Sequence, residues 1–538
     1  CDLDDKKTVV HRGDNLWNSW CRVIFCSPHY QGLIDLNQTK IVLLNSEPEK
    51  IVNTGYTEIQ SISDLHLVRP NRVILKLKGL PFAINPIFLK PQPAELDDDS
   101  SFVFANVQTL LKLGVTSGSY VKISRSGIQR VAKIFVLLSP NNFDTLTIYA
   151  PPKIMANLKC PKEVEVEKSD MKIRDLPIAS SVSVARVGNW ENFQRLHQNI
   201  IFHNLTFYLT DKRRILCSND LIPITFDSSM ASMYSEDLNE FHLDTKDDCL
   251  VWFKVGDVEF DDMPDYKGEF IIDNTKTRLV TTNVISEPPM KTLNCDYVSY
   301  FGLPRLFNYN LDKFAFVKRF RDIIKAAIRC YERGIRINTS LLLHSYTPNV
   351  GKSTIVRSIA AELGMHLLEI DCVSISVNSG SSDTTSKVIG FIKAKLEHVL
   401  PFTEPALIYL AHLDAILEKE DQQQDPSSLK IARSTSIEMS NLIEQYTQNF
   451  PGTVFVGSAN DIDKVPETVR SKIKFEIEVP VPDEPQRSEI FKYCLSETSL
   501  NEGSYVGYKF CVGSDVIFSK LALQSAGLTP LNLKSIVN

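Results

Sequence analysis

Long hydrophobic runs are largely missing from this sequence. The longest candidates, residues 131–138 and 406–417, are short or interrupted by polar residues. A membrane-spanning helix needs about 18 consecutive apolar residues, so no transmembrane segment is expected. An excess of positive charge is missing too: 59 Lys and Arg stand against 65 Asp and Glu, a net charge of −6. Nucleic acid is normally met by a basic face interleaved with aromatics, so a nucleic-acid motor is disfavoured and no nucleic-acid partner is expected. The eleven cysteines are scattered and none forms a CxxC pair. That spacing gives neither a zinc knuckle nor a disulfide framework, and reduced thiols in a cytosolic protein are the plain reading. No internal repeat is visible. The sequence starts at Cys1 and reaches its first methionine at Met155, so an excised fragment without a signal peptide is expected, with protein missing at both ends.

What is present is ordinary globular composition: 538 residues, 43% hydrophobic and 23% charged. At roughly 100–200 residues per domain, that length predicts about three domains. Short alternating runs at 40–44 and 72–77 have strand-type spacing. Pro81, Pro86, Pro91 and Pro93 follow, then the acidic run 97–99. Proline stiffens such a stretch and carboxylates keep it solvated, so it is expected to divide a first domain (1–95) from a second (96–290). The second region predicts strands at 120–123, 131–138, 146–149, 182–187 and 250–255, with a turn over 113–123 of the kind a small barrel uses. The acidic stretches 235–248 and 256–265 read as exposed insertions.

After Glu287-Pro-Pro the pattern changes. Apolar residues at 316, 320, 323, 324, 327, 328 and 331 form a helical stripe, and Gly334 fits its C-cap. Strands predicted at 340–344, 366–370, 406–411 and 453–457 then alternate with helices at 353–363, 384–400 and 434–447. Such alternation specifies a parallel sheet with helices on both faces, here an α/β domain over 291–483. Residues 484–538 read as helical only, with helices at 486–495, at 515–525 behind a Ser514 cap, and opening at Thr529-Pro530.

The sharpest chemistry lies between the first strand and helix of the α/β domain, in Tyr346-Thr-Pro-Asn-Val-Gly351-Lys352-Ser353. A phosphate loop asks for G-x-x-x-x-G-K-[S/T], and the second half of that pattern is satisfied. Backbone N–H groups there can cradle an anion, Lys352 can neutralise phosphate charge, and Ser353 can ligate Mg²⁺. Tyr346 stands in place of the first glycine, where a side chain crowds the turn. The nucleotide-binding set is therefore Asn349, Val350, Gly351, Lys352, Ser353 and Thr354, with Asn460 after the fourth strand as a γ-phosphate contact. Hydrolysis needs more. The third strand ought to end in Asp-Glu, one to hold the metal's water shell and one to polarise the attacking water. Ala411 and His412 stand there, so no catalytic residue is assigned. Asp414 reads as the N-terminal acid of the following element; a register slip would instead make it the metal residue.

At these residues a family becomes visible. The strand–loop–helix with Gly351-Lys352-Ser353, the 405–416 segment, the Asn460 segment and Phe475-Glu-Ile-Glu-Val-Pro-Val-Pro-Asp483 resemble an AAA+ ATPase module with its small helical lid, over roughly residues 300–538. Upstream, Cys26-Ser-Pro, Leu113-Gly-Val-Thr-Ser-Gly-Ser, Ile148-Tyr-Ala-Pro-Pro-Lys-Ile and Asn219-Asp-Leu-Ile-Pro-Ile-Thr-Phe-Asp-Ser-Ser-Met-Ala resemble the peroxisomal-biogenesis branch of that family. The resemblance implies a tandem ATPase, represented here by its N-terminal domains and its first, degenerate ATPase domain. The region 96–290 would be the second N-terminal domain, of the double-psi barrel type, and 1–95 the end of the first. It further implies ATP and Mg as cofactors, and alternation with peroxin one in a hetero-hexamer. That complex would sit on the cytosolic face of the peroxisomal membrane through a tail-anchored receptor and extract the ubiquitinated import receptor. Hydrolysis would fall mainly to a second ATPase domain beyond Asn538.

Two departures from the family pattern stand out. Where relatives carry arginines that reach the neighbouring subunit's nucleotide, this sequence offers Arg470 and then Lys472 and Lys474. Lysine cannot reproduce a bidentate fork, which speaks against activation in trans. Residues 372–383, where substrate-threading relatives carry an aromatic, have none. The leading expectation is an ATP-binding, hydrolysis-deficient assembly domain. Its alternatives are a competent P-loop NTPase using Asp414 and a nucleotide-free structural adaptor with Tyr346 in the pocket.

Overall fold

A computed structural model describes residues 8–11, 14–16, 21–24, 31–34, 72–137, 146–169, 175–190, 197–228, 248–261, 266–273, 275–292, 294–304, 306–378, 384–417, 426–501 and 518–537, with 26, 39, 230 and 263 as isolated positions. The predicted strand 40–44, the Ser514 cap and most of the 235–248 insertion lie outside these residues. Alternation along Val73–Gly79 buries Leu75 and Leu77 and leaves Ile74 outside, as a half-buried strand requires. This strand pairs antiparallel with Glu163–Lys168 and parallel with Thr147–Ala150. Phe102–Ala105, Ile128–Val136 and Ser119–Arg125 complete a closed six-stranded barrel. The boundary expected at 95/96 therefore falls inside the barrel, and the proline-rich stretch connects two of its strands.

The acidic run after those prolines is not simply solvated. Asp98 is buried, and accepts from Lys153 Nζ at 2.9 Å and Arg214 Nη1 at 2.9 Å. Its other donors are the Ser100 and Ser101 hydroxyls and the Ser100 and Ile215 N–H groups. The partners lie 55 and 116 residues away in sequence, so local composition could not reveal them.

The region expected as one domain over 96–290 contains a second unit. Its sheet runs in the order Leu221–Asp227, Asp248–Glu259, Ser181–Val187, Arg278–Ile285. Helix Gln198–Asp211 lays Ile201, Leu205 and Leu209 into a core with Ile222, Ile224 and Phe253. The acidic stretch expected as a loop from 256 begins inside strand Asp248–Glu259, where pairing to Ser181–Val187 holds it extended.

The C-terminal half contains a five-stranded parallel sheet, in the order His366–Asp371, Ala406–Ala411, Thr453–Ala459, Thr339–His344, Phe475–Glu478. Ala406–Ala411 and Thr453–Ala459 are buried at every position, as central parallel strands covered on both faces are. Helices Ala315–Glu332 and Lys352–Leu363 cover one face; Thr384–Val399 and Pro426–Asn449 cover the other. Phe475–Glu478 and the short helix Cys372–Asn378 were not expected from periodicity. Glu484–Asn501, Phe518–Gln524 and Pro530–Val537 form the helical tail.

The N-terminal units dock onto this module. His366 Nε2 lies 2.8 Å from the Glu287 carbonyl, and the Thr292 N–H donates to the Ala361 carbonyl at 3.2 Å. A side chain on Gly188 would run into the backbone of Phe402, so that contact requires glycine. Beside it the Lys395 ammonium sits 4.4 Å from the Trp190 ring centre, a cation–π contact. No helix among the described residues is long and apolar enough to cross a membrane.

Candidate nucleotide site

The buried strand Thr339–His344 delivers the chain to the phosphate loop, and helix Lys352–Leu363 leaves it. Asn349 (φ 62°) and Gly351 (φ 92°) both adopt the left-handed region. Such alternation turns successive N–H groups toward one side and makes an anion-binding concavity. The φ at Gly351 is the reason for glycine there. Val350 and Lys352 are buried, whereas Asn349 and Thr354 are exposed. Tyr346 does not crowd the turn: it is 68% exposed, with its ring edge-on to His344 at 6.5 Å. The loop reaches the correct fold without the first glycine because the side chain leaves into solvent.

Strand Thr453–Ala459 pairs His344 with Ala459, which sets Asn460 beside the loop. Lys352 Nζ donates to Asn460 Oδ1 at 2.8 Å. The Asn460 N–H donates to Asp414 Oδ2 at 3.2 Å, and Asn460 Nδ2 lies 3.4 Å from His412 Nδ1. Burial pushes the Lys352 ammonium below its ordinary pKa, with the Asp414 charge acting in the opposite sense. A cation held with so little solvation is favourably placed for a phosphate. Tyr309 was missed by sequence reasoning. Its hydroxyl lies 4.0 Å from where a Gly351 Cβ would stand, and its ring packs on Phe307 and Phe314. Burial pushes its phenol pKa up. It belongs to a stretch without periodicity, so no sequence signal marked it.

The positions of hydrolysis chemistry look different. Ala406–Ala411 pairs Asp371 with Ala411 and Leu410 with Gly457, so Ala411 ends the strand and Asp414 lies beyond it in the turn Leu413–Ala415. His412 has a left-handed backbone (φ 57°), and its N–H donates to Ser458 Oγ at 3.2 Å. Ser353 Oγ lies 3.0 Å from Tyr409 Oη, which donates to Ser458 Oγ at 3.0 Å. Magnesium is held by hard oxygen ligands, normally the loop hydroxyl and an acid acting directly or through water. The loop fits a polyphosphate. The metal side, with Ala411 where the acid is needed, does not fit the ion.

Arg470, the candidate for reaching a neighbouring subunit, forks onto Glu476 of its own chain at 2.9 Å through both Nε and Nη2. Lys472 pairs with Glu444 at 2.7 Å, and Lys474 donates to the Asn338 carbonyl. A cleft of 1530 Å³ lies elsewhere, between the barrel, the four-stranded unit and the ATPase module, with Arg130, Trp252, Glu269 and Tyr331 in its walls. The loop is preferred as the site because it holds the phosphate chemistry.

A parallel sheet carrying a phosphate loop, with a helical tail behind it, defines an AAA-type ATPase module. Residues 342–482 match the family described as "ATPase family associated with various cellular activities (AAA)", and residues 174–288 match the "PEX6 fourth domain". Over its full length the chain is 47% identical to Peroxisomal ATPase PEX6 of Eremothecium gossypii and 43% identical to that of Saccharomyces cerevisiae, covering 52% and 53% of those proteins. Against the Kluyveromyces lactis protein of the same name it is 38% identical over 98% of its own length and 52% of the relative. The chain belongs to the PEX6 family of AAA ATPases, and it spans about half the length of the curated relatives it matches.

Proposed function

We propose that this chain is the part of a peroxisomal ATPase that binds ATP at residues 349–354 and retains it without hydrolysis. The reading is carried by one pairing of observations: Lys352 is buried and oriented by Asn460, while Ala411 and His412 occupy the positions where two carboxylates are needed. A nucleotide that stays bound acts as a structural ligand, stabilising whichever conformation it binds. In a ring it would bridge neighbours without being released in each cycle. The whole protein would alternate with peroxin one in a hetero-hexamer on the cytosolic face of the peroxisomal membrane. There it would act on the ubiquitinated import receptor and dock on a tail-anchored receptor. Residues 1–290, with the double-psi barrel type expected over 96–290, would recognise the membrane receptor or a cofactor, and residues 300–538 would make ring contacts. Calorimetric titration of ATP, with and without Lys352→Ala, tests binding, and phosphate release tests retention. Binding without turnover supports the reading. Turnover would favour the competent NTPase using Asp414, whose Oδ1 is buried without a partner. Absence of binding would favour the adaptor, against which the exposed ring of Tyr346 already weighs.

A further inference from the structure

The metal side of the loop is made of hydroxyl groups. Ser353, Tyr409 and Ser458 form a chain with both links at 3.0 Å, and the His412 N–H closes it at 3.2 Å. Tyr409 is buried and lies two residues before Ala411 on the same face of one strand. With Ala411 in the acid's place, the hydrogen-bond partner of Ser353 is this phenol. A phenol, unlike a carboxylate, is uncharged near neutral pH. Two of the neighbouring acids are engaged elsewhere, and the third lies beyond the strand end. Glu369 forks onto Arg357 at 2.7 and 2.8 Å, and Asp371 Oδ1 accepts from the Val373 N–H at 3.1 Å. Asp414, in the turn beyond the strand, takes the Asn460 N–H on Oδ2 and faces the Lys352 charge, and its Oδ1 is buried without a partner.

We propose that this site binds ATP without needing a divalent cation, because Tyr409 orients Ser353 through a neutral hydrogen bond where a metal requires an acid. The inference rests on the reading that residues 349–354 bind ATP. Magnesium gives up its water reluctantly and is normally held through one or two carboxylates plus the phosphates. With a single neutral hydroxyl offered, its binding adds little to what Lys352 and the loop N–H groups supply. Tyr409 is a positioning residue in this arrangement.

The test is ATP binding to the 538-residue chain by calorimetry, in excess magnesium and again in EDTA. The dissociation constants are expected to agree within about threefold, and Ala411→Asp is expected to create a preference for magnesium of about tenfold or more. Melting curves establish that the variant is folded, and the wild-type comparison stands without it. Wild-type affinity that falls about tenfold or more in EDTA overturns the inference and leaves the binding site in place. No binding in either buffer overturns the nucleotide reading itself, and this inference with it.

Discussion

Lys352, at the start of the helix that leaves the loop, is joined at 2.8 Å to Asn460, just past the end of the neighbouring strand, so the loop's cation is oriented before a phosphate arrives. The bond holds a buried ammonium whose charged form is disfavoured by desolvation. Phosphate would relieve that cost and supply the charge that burial withholds. A ligand that binds the folded state alone stabilises it by about 2.7 kcal/mol at a hundredfold excess over its Kd. ATP is therefore expected to raise the melting temperature of the wild-type chain, and Lys352→Ala to remove most of that rise. An unchanged wild-type melting curve in millimolar ATP would contradict the site.

Phosphate release by the purified chain is expected to stay at background. His412→Glu alone is not expected to change this, since the left-handed backbone at 412 and the methyl of Ala411 remain. A carboxylate to polarise water has no function without the acid that holds the metal's water shell. Sustained ATP turnover that copurifies with the wild-type chain and disappears in Lys352→Ala would refute the assignment.

Much of the ATPase module was readable in the sequence because its strands are short apolar runs between amphipathic helices. Ala406–Ala411 and Lys352–Leu363 fall within a residue of their expected limits. The edge strand Phe475–Glu478 escaped notice since its glutamates reach solvent and only one side is paired. Lys352 and Asn460 were identified from motif and strand order, and they do meet. Tyr409 was not identified, because its contacts with Ser353 and Ser458 span 56 and 49 residues. The same limitation explains Asp98: an acidic run after prolines resembles a linker until Lys153 and Arg214 are brought against it.

Asp98 is expected to be a large contributor to stability of the N-terminal half. Its burial opposes ionisation, yet Lys153, Arg214 and the Ser100 and Ser101 hydroxyls outweigh that and hold its pKa well below the usual carboxylate range. Removing one member of a buried ion network leaves the others uncompensated, at a cost of about 3–5 kcal/mol. Asp98→Ala is expected to lower the denaturant midpoint accordingly. Because the folded pKa is depressed, this contribution is present above the unfolded value, near 3.9, and is lost as pH falls below it. The wild-type and variant stabilities should therefore converge in acid. A difference that stays constant from pH 7 to pH 3 would show that Asp98 acts through shape and not charge.

Glu269 is expected to give the opposite pH dependence. It lies where the four-stranded unit meets the barrel: Oε1 accepts the Val131 N–H, and Oε2 is buried without a partner. Burial pushes its carboxyl up to about 7; the Val131 N–H, Arg130 and Lys122 oppose the shift, and Asp220 adds to it. A raised folded pKa favours folding while the group is protonated. That advantage is complete below the unfolded value, near 4.3, and is lost as pH rises through about 7. Glu269→Gln keeps the size and an oxygen to accept from Val131, but cannot ionise. It is expected to match the wild type near pH 4 and to melt at a higher temperature at pH 8. Asp220, also raised by burial, is present in both chains, so the difference between the two profiles reports Glu269 together with its coupling to Asp220. If the profiles run parallel from pH 5 to pH 8, the carboxyl at 269 is not the titrating group at this junction.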